Sequence, residues 1–387
     1  MIKKFNVEKT RQLDKINRLL AFFYRKRRTV EIVELKNVKN ILVIDFALMG
    51  DMVMDIPFFK TIKHNCPNAK ITMVCMKWAE IILGDQDLVD EFIVFDGKEK
   101  LSTPKKVFRN FGEIRSTLKE INKKEYDLGI EPKGDLRHTL FMHYTRSKRT
   151  ASYNYTGGGY LITDSFNPKE NTRHLIDEKL DLLEMLGFTI FDEDRIPELY
   201  LADKGIELCL RFKESNHLQN KTIIGIHPGA SNVNKQFRYY PEVLNDFFNK
   251  IKNKEKFILI VFEGPNEEEI ANKVSEQAKI INVNYIKVKR PTKEYVQLVS
   301  ICDYMLCNDS AAAHIAAGYG IPTLVVFGAV KPETALPRGK NIVEYVSHAM
   351  DCKPCTLPTC PLNTEKCIKS ISPKEVVDKL YKIGLCV

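Results

Sequence analysis

This chain has no long apolar run. The longest one near its start, residues 19–24, spans six residues and runs straight into Arg25-Lys26-Arg27-Arg28. That is too short for a signal-peptide core or a membrane span, so the expected location is the cytoplasm. No G-x-G-x-x-G follows the first apolar strand, which argues against a dinucleotide-binding fold. Nothing reads as an organised nucleic-acid motif. The net charge of +9, from 59 basic and 50 acidic residues, is modest, and no nucleic-acid partner is expected.

What is present is a chain of 387 residues with 44% hydrophobic content, enough for two filled cores. Residues 11–24 have the pattern of an amphipathic helix, followed by the tetrabasic run. This basic prelude fits either peripheral contact with the inner, anionic face of a membrane or packing on the body of the protein. From residue 38 onward, strands alternate with helices. Apolar strands are expected at 41–46, 71–76, 92–95 and 128–131, then again at 222–226, 257–262, within 281–288, at 304–307 and at 323–327. A helix is expected to start between Asp51 and Asp55, and another region to be helical over 104–124. Such alternation means parallel sheets with helices on both faces. The expected division is a basic extension over 1–38, one Rossmann-like domain over 39–205 and a second over 206–387.

Three segments carry chemistry. Cys302 to Gly328 reads CDYMLCNDSAAAHIAAGYGIPTLVVFG, a strand, a small-residue helix and a second strand. Asn308, Asp309 and Ser310 fall at the strand-to-helix junction, where free N–H groups and the helix dipole suit a phosphate. His314 lies one turn on, tilted back toward the same end. The strand at 222–226 leads into HPGASNVNKQF, where Gly229 permits close backbone approach, Ser231 adds a hydroxyl and Lys235 a positive charge. Such a set holds a diphosphate. The first strand runs into FALMGDM, placing Asp51 at a strand's carboxyl end, as a base facing a ligand or as a helix cap.

In this order and spacing, ILVIDFALMGDMVMDIP, HPGASNVNKQF and NDSAAAHIAAGYGIPTLVVFG resemble the signatures of glycosyltransferase family 9, which contains the ADP-heptose:lipopolysaccharide heptosyltransferases. YDLGIEPKGDLR and Arg173-His174 agree more loosely. The resemblance covers about residues 40–380. It implies the GT-B fold, two Rossmann-like doubly wound parallel-sheet domains facing a central cleft, with the acceptor on the first and the nucleotide sugar on the second. It implies an inverting, metal-independent transfer with no required cofactor, from an ADP-heptose-like donor to a lipopolysaccharide-core or other glycan acceptor. Asp51 matches the general base. Ser231, Lys235, Asp309, Ser310 and His314 match diphosphate-binding positions, with Gly229 and Asn308 beside them. Either Glu263 or Glu267 matches a ribose-contacting acid. Ala311 departs from the pattern, standing where the family has glycine.

Family acceptors are anionic glycans or lipid-linked sugars, and Lys133, Arg137, Arg146 and Arg149 fall after a strand end where they would meet such groups. Cys352, Cys355, Cys360 and Cys367 have the content of a structural zinc site, with disulfides and reduced packing as the other readings; the remaining six of ten cysteines read as small buried apolar residues. Asp85-Gln86-Asp87 and Asp192-Glu193-Asp194 read as acidic surface turns. Two alternatives stay open: transfer of a different nucleotide sugar, as in capsule or natural-product glycosylation, and a non-catalytic nucleotide-binding protein. A two-domain epimerase is disfavoured by the Gly50-Asp51 loop.

Overall fold

The computed structural model describes Asn17, Ala21 and residues 34–95, 110–169, 173–355, 357 and 359–385. The basic run at 25–28 lies outside the described residues, as does residues 11–24 apart from Asn17 and Ala21, both helical. The chain divides into two compact units, Met1–Arg195 and Ile196–Val387.

The first unit is a six-stranded sheet of β1 (Asn40–Asp45), β2 (Lys70–Cys75), β3 (Glu91–Val94), β4 (Tyr126–Glu131), β5 (Ser147–Tyr153) and β6 (Asp164–Phe166). Its order is β3-β2-β1-β4-β5-β6, parallel throughout. Leu42, Ile44, Val74 and Phe141 fill one face of it. The helix after β1 starts earlier than expected, as α1 (Met49–Met54), and breaks at Asp55 before α2 (Ile56–Asn65). Pro57 explains the break: it has no N–H to offer the carbonyl of Val53, four residues back. Further on come α3 (Lys77–Leu83), α4 (Phe111–Ile121), α5 (Leu136–His143) and α6 (Leu175–Met185).

The second unit repeats the plan. It has β7 (Thr222–His227), β8 (Phe257–Phe262), β9 (Asn284–Val288), β10 (Tyr304–Asn308), β11 (Thr323–Phe327) and β12 (Val343–Ser347), in the order β12-β11-β10-β7-β8-β9, again all parallel. Its helices include α7 (Asp203–Ser215), α8 (Tyr240–Phe248), α9 (Glu268–Ile280), α10 (Thr292–Val299) and α11 (Ala311–Gly318). Phe247, Phe248 and Val274 close over Ile226, Leu259 and Leu306. Each such fully buried side chain contributes about 1.5–3 kcal/mol.

In both units the strand order reverses direction of growth once, between β1 and β4 and between β7 and β10. A doubly wound sheet binds ligands outside the carboxyl ends of its strands at this point, where loops diverge to opposite faces. All three sequence motifs lead out of strands that flank a reversal.

One acidic turn is not a surface feature. Asp194 is 1% exposed and accepts from Thr61 Oγ1 at 3.1 Å, with His64 Nδ1 also at 3.1 Å, tying α2 to the end of the first unit. Its burial follows from those two partners, which a spacing pattern does not reveal. Among the described residues no helix is long and apolar enough to cross a membrane.

Candidate active site

At the reversal of the first sheet, Asp51 stands on α1 just past β1, and Lys133 follows the end of β4. Lys133 Nζ is 3.2 Å from Asp51 Oδ2 and 3.5 Å from Asp45 Oδ1. Asp45, the last residue of β1, is also 3.3 Å from Lys179 Nζ, and Lys179 pairs in turn with Asp55. Carboxylates and ammonium groups thus alternate from Asp51 through Lys133, Asp45 and Lys179 to Asp55. Asp45, Asp55 and Lys179 are buried. Each is tolerated there because it is paired; deleting one partner of such a buried pair costs about 3–5 kcal/mol. Burial alone would lower the Lys133 pKa, but the carboxylates of Asp45 and Asp51 outweigh it and hold the ammonium well above its usual range.

Asp51 makes the capping contact that the sequence allowed. Its Oδ2 accepts from Leu48 N at 3.4 Å, reaching back over the start of α1, while the side chain keeps about a third of its surface exposed (31%). Trp78, the only tryptophan of the chain, donates to Ala47 O at 2.5 Å and pins the loop in front of it.

The four cations grouped after β4 do not gather at one place. Lys133 stands at the carboxyl end of the sheet. Arg146 is at the opposite, amino end, where its carbonyl accepts from Tyr126 N. Arg149 is held by Asp164 in a two-pronged pair, both contacts at 3.0 Å, across β5 and β6. Arg137 is clasped by Asp135, which also caps α5. The sequence grouped them by proximity in number; the intervening α5 turns the chain and carries the last two away.

At the reversal of the second sheet, the loop after β7 meets the loop after β10. Asn308 is fully buried and joins them. Its Nδ2 donates to Pro228 O (2.7 Å) and Gly229 O (3.2 Å), and its Oδ1 accepts from Phe237 N (3.1 Å) and Tyr240 Oη (2.9 Å). Both donors and both acceptor sites are used, so Asn308 is a strut rather than a ligand contact. Lys235 Nζ pairs with Asp309 Oδ2 at 2.6 Å. Asp309 therefore holds the lysine instead of offering itself to an anion. Ser310 precedes α11 without capping it, and its Oγ is buried with no hydrogen-bond partner among the described residues. Ala311 opens the helix; His314, one turn on, is buried. Ser231 is exposed in the loop after β7.

The two glutamates separate. Glu267 lies against Gly229: a Cβ added there would stand 1.9 Å from its carboxyl carbon. It accepts from Gly264 N at 2.9 Å and stands 3.5 Å from His227 Nε2. Burial lowers the His227 pKa, against the pull of Glu267. Glu263 instead faces Lys289 (2.6 Å) and Lys287 (3.2 Å), which hold its carboxyl below the usual range.

Of the three readings of the cysteine cluster, the zinc site is not supported. No group of three or more His, Cys, Asp or Glu side chains among the described residues is placed to hold a metal ion, and Cys352, Cys355, Cys360 and Cys367 are all unbridged. Their sulfurs serve separate local partners: Cys360 Sγ accepts from Glu365 N and Cys355 Sγ from Asn234 Nδ2. The segment braces the site instead, with Asn234 Nδ2 donating to Leu357 O at 3.0 Å and Cys355 N to Ala329 O at 2.9 Å. Cys66, Cys75, Cys209, Cys302 and Cys307 are buried, as expected for small apolar fillers; Cys386 lies outside the described residues.

Sequence reasoning missed Asp45, Asp55, Glu131 and Lys179. The available signal was Asp45 itself: a carboxylate ending the otherwise apolar strand ILVID has to find a cation.

Two doubly wound parallel sheets in one chain, each with polar side chains gathered at its reversal, define a glycosyltransferase-type GT-B fold. Residues 114–365 match the sequence model of glycosyltransferase family 9 (heptosyltransferase), and the chain belongs to that family. It is a glycosyltransferase. The lipooligosaccharide heptosyltransferase 2 of Campylobacter jejuni is 28% identical over 343 residues, which cover 87% of this chain and 96% of that protein. Solved structures share the fold, among them the following. A family 9 glycosyltransferase from Veillonella parvula matches with a TM-score of 0.74 at 19% identity, over 92% of this chain and 99% of that one. The ADP-heptose lipopolysaccharide heptosyltransferase II of Escherichia coli matches with a TM-score of 0.67 at 17% identity, over 89% and 98%.

Proposed function

We propose that this chain transfers a heptose from ADP-heptose to a sugar of a lipopolysaccharide or lipooligosaccharide core, with inversion at the anomeric carbon. One observation carries the reading: the polar groups fall at the reversal points of both sheets, a carboxylate on the first and a lysine beside a helix start on the second. The donor and acceptor come from the relatives, whose names specify ADP-heptose and lipooligosaccharide.

In this reading the first unit binds the acceptor and the second the nucleotide sugar. Asp51 takes the proton of the acceptor hydroxyl as that oxygen bonds to the anomeric carbon. The proton becomes labile only as the bond forms, so a carboxylate is basic enough. The bond from the anomeric carbon to the diphosphate oxygen breaks on the other side, and the electron pair leaves with ADP. Lys235, the Ser310 hydroxyl, Ser231 and the N–H groups opening α11 take up that charge, with His314 behind them. The Ala311 methyl narrows the approach but leaves the backbone N–H available. Glu267, beside Gly229, is the better placed acid for ribose hydroxyls, since Glu263 is committed to two lysines.

The test is to incubate the full chain with ADP-heptose and a heptose-deficient core acceptor, alongside UDP- and GDP-sugars, and to follow acceptor mass. A heptose-sized gain from ADP-heptose alone is expected. A gain from another donor would replace the sugar assignment, and tight nucleotide retention with no product would make the chain a binding protein.

A further inference from the structure

We infer that Lys133 is a positioning residue that orients Asp51, and does not bind the acceptor. The inference rests on the reading of Asp51 as the base. Asp51 sits on a helix of only six residues, with its side chain partly in solvent. Its carboxylate needs an outside hold to keep one rotation. Lys133 supplies one: its ammonium, from the turn after β4, contacts Oδ2, the same oxygen that accepts from the amide of Leu48 at the start of α1.

Lys133 is itself unusually well fixed. The carboxylate of Glu131, wholly buried at the end of β4, gathers the turn that follows. It accepts from Lys133 N (3.2 Å), Gly134 N (2.6 Å) and Ser152 Oγ (2.6 Å), and contacts His138 Nδ1 at 3.0 Å. Gly134 has φ +67°, and a Cβ there would come within 2.8 Å of Tyr153, so no other residue takes that conformation without displacing β5. The turn therefore delivers the lysine to one place. Asp45, the second partner, is anchored by Lys179 from α6. Asp51 is the most exposed of the three carboxylates in this chain of charges.

The same geometry argues against anion binding. An ammonium facing two carboxylates at 3.2 and 3.5 Å has its charge already compensated. A phosphate brought to it would meet Asp51 and Asp45 as well, and like charges at that range repel.

The experiment is steady-state kinetics on the full chain with ADP-heptose and a core acceptor, comparing wild type, Lys133→Met, Lys133→Arg, Asp45→Asn/Lys133→Met and Asp51→Asn. A misoriented base costs on the order of 10–100-fold in kcat. Lys133→Met should show that loss with the KM for acceptor little changed, and Lys133→Arg should recover most of it. The double variant separates orientation from folding. Removing the Asp45 charge relieves the burial penalty, so it should restore the melting temperature but not the rate. A raised acceptor KM at unchanged kcat in Lys133→Met would overturn the inference and return the lysine to acceptor binding. Restored turnover in the double variant would overturn it too, as it would reduce Lys133 to a structural counter-ion. The Asp51→Asn arm reports on the underlying reading alone. Full activity there removes the base itself, whereas an inactive Asp51→Asn beside a kcat-neutral Lys133→Met removes only the role of Lys133.

Discussion

Lys235 and Asp309 form an ion pair of 2.6 Å that joins the loop after β7 to the loop after β10. The pair spans the reversal of the second sheet, next to the hydroxyl of Ser310, which has no hydrogen-bond partner among the described residues. The lysine is thus pre-placed by a carboxylate at the mouth of a helix whose first N–H groups face the same end.

The first prediction concerns that lysine. Lys235→Met should weaken ADP binding about 10–100-fold, the worth of one charge-assisted hydrogen bond. Isothermal titration with ADP measures it. An unchanged affinity would place the diphosphate elsewhere.

A second prediction concerns Asn308, which joins the same two loops without touching solvent. Asn308→Ala strands Phe237 N, Tyr240 Oη and two carbonyls, and should destabilise the chain by about 2–4 kcal/mol. Asn308→Asp should do no better, because it sets a carboxylate against the carbonyls of Pro228 and Gly229. Thermal melts of both variants decide this, and a melting temperature equal to wild type in either would contradict the strut assignment.

The third prediction is about acid. His348 first, then the hydroxyl and amide of Ser372, bring the Glu375 carboxyl down from 4.5 to about 2. A carboxyl depressed by folding stabilises the fold above its ordinary value, and that contribution fades as pH falls. Wild type should therefore melt above Glu375→Gln at pH 6, and the gap should close between about pH 4.5 and pH 2. Asp135 adds to the same trend: burial would raise its pKa, but Arg137 and His138 together outweigh burial and hold the carboxyl well below its usual range. A gap that persists unchanged at pH 2 would contradict the ionic origin of the effect.

The central strands were legible because they are buried on both faces and therefore spell continuous apolar runs, ILVI in β1, FILIVF in β8 and TLVVF in β11. The stretch between β4 and the first unit's last helix was not. β5 reads SKRTASY, and its buried polar residues are satisfied by partners far along the chain: Thr150 by Thr163, Ser152 by Glu131. α5 is only eight residues long and holds two histidines and an arginine. Neither gives a period to read, and without them the four cations looked like neighbours. At the second sheet, motif spacing picked out Lys235, Ser310 and Asn308, which lie together at the sheet reversal, but it does not distinguish a side chain that touches a ligand from one that ties two loops together. That difference lies in the count of hydrogen bonds each already makes.

The account turns on Asp51, and the most direct measurement is single-turnover heptose transfer by Asp51→Asn, with ADP affinity measured on the same preparation. Asparagine keeps the shape and cannot take the proton. Transfer should be lost while ADP binds as in wild type. Transfer at the wild-type rate would show that some other group removes the acceptor proton, and the assignment of the first unit's site would be wrong.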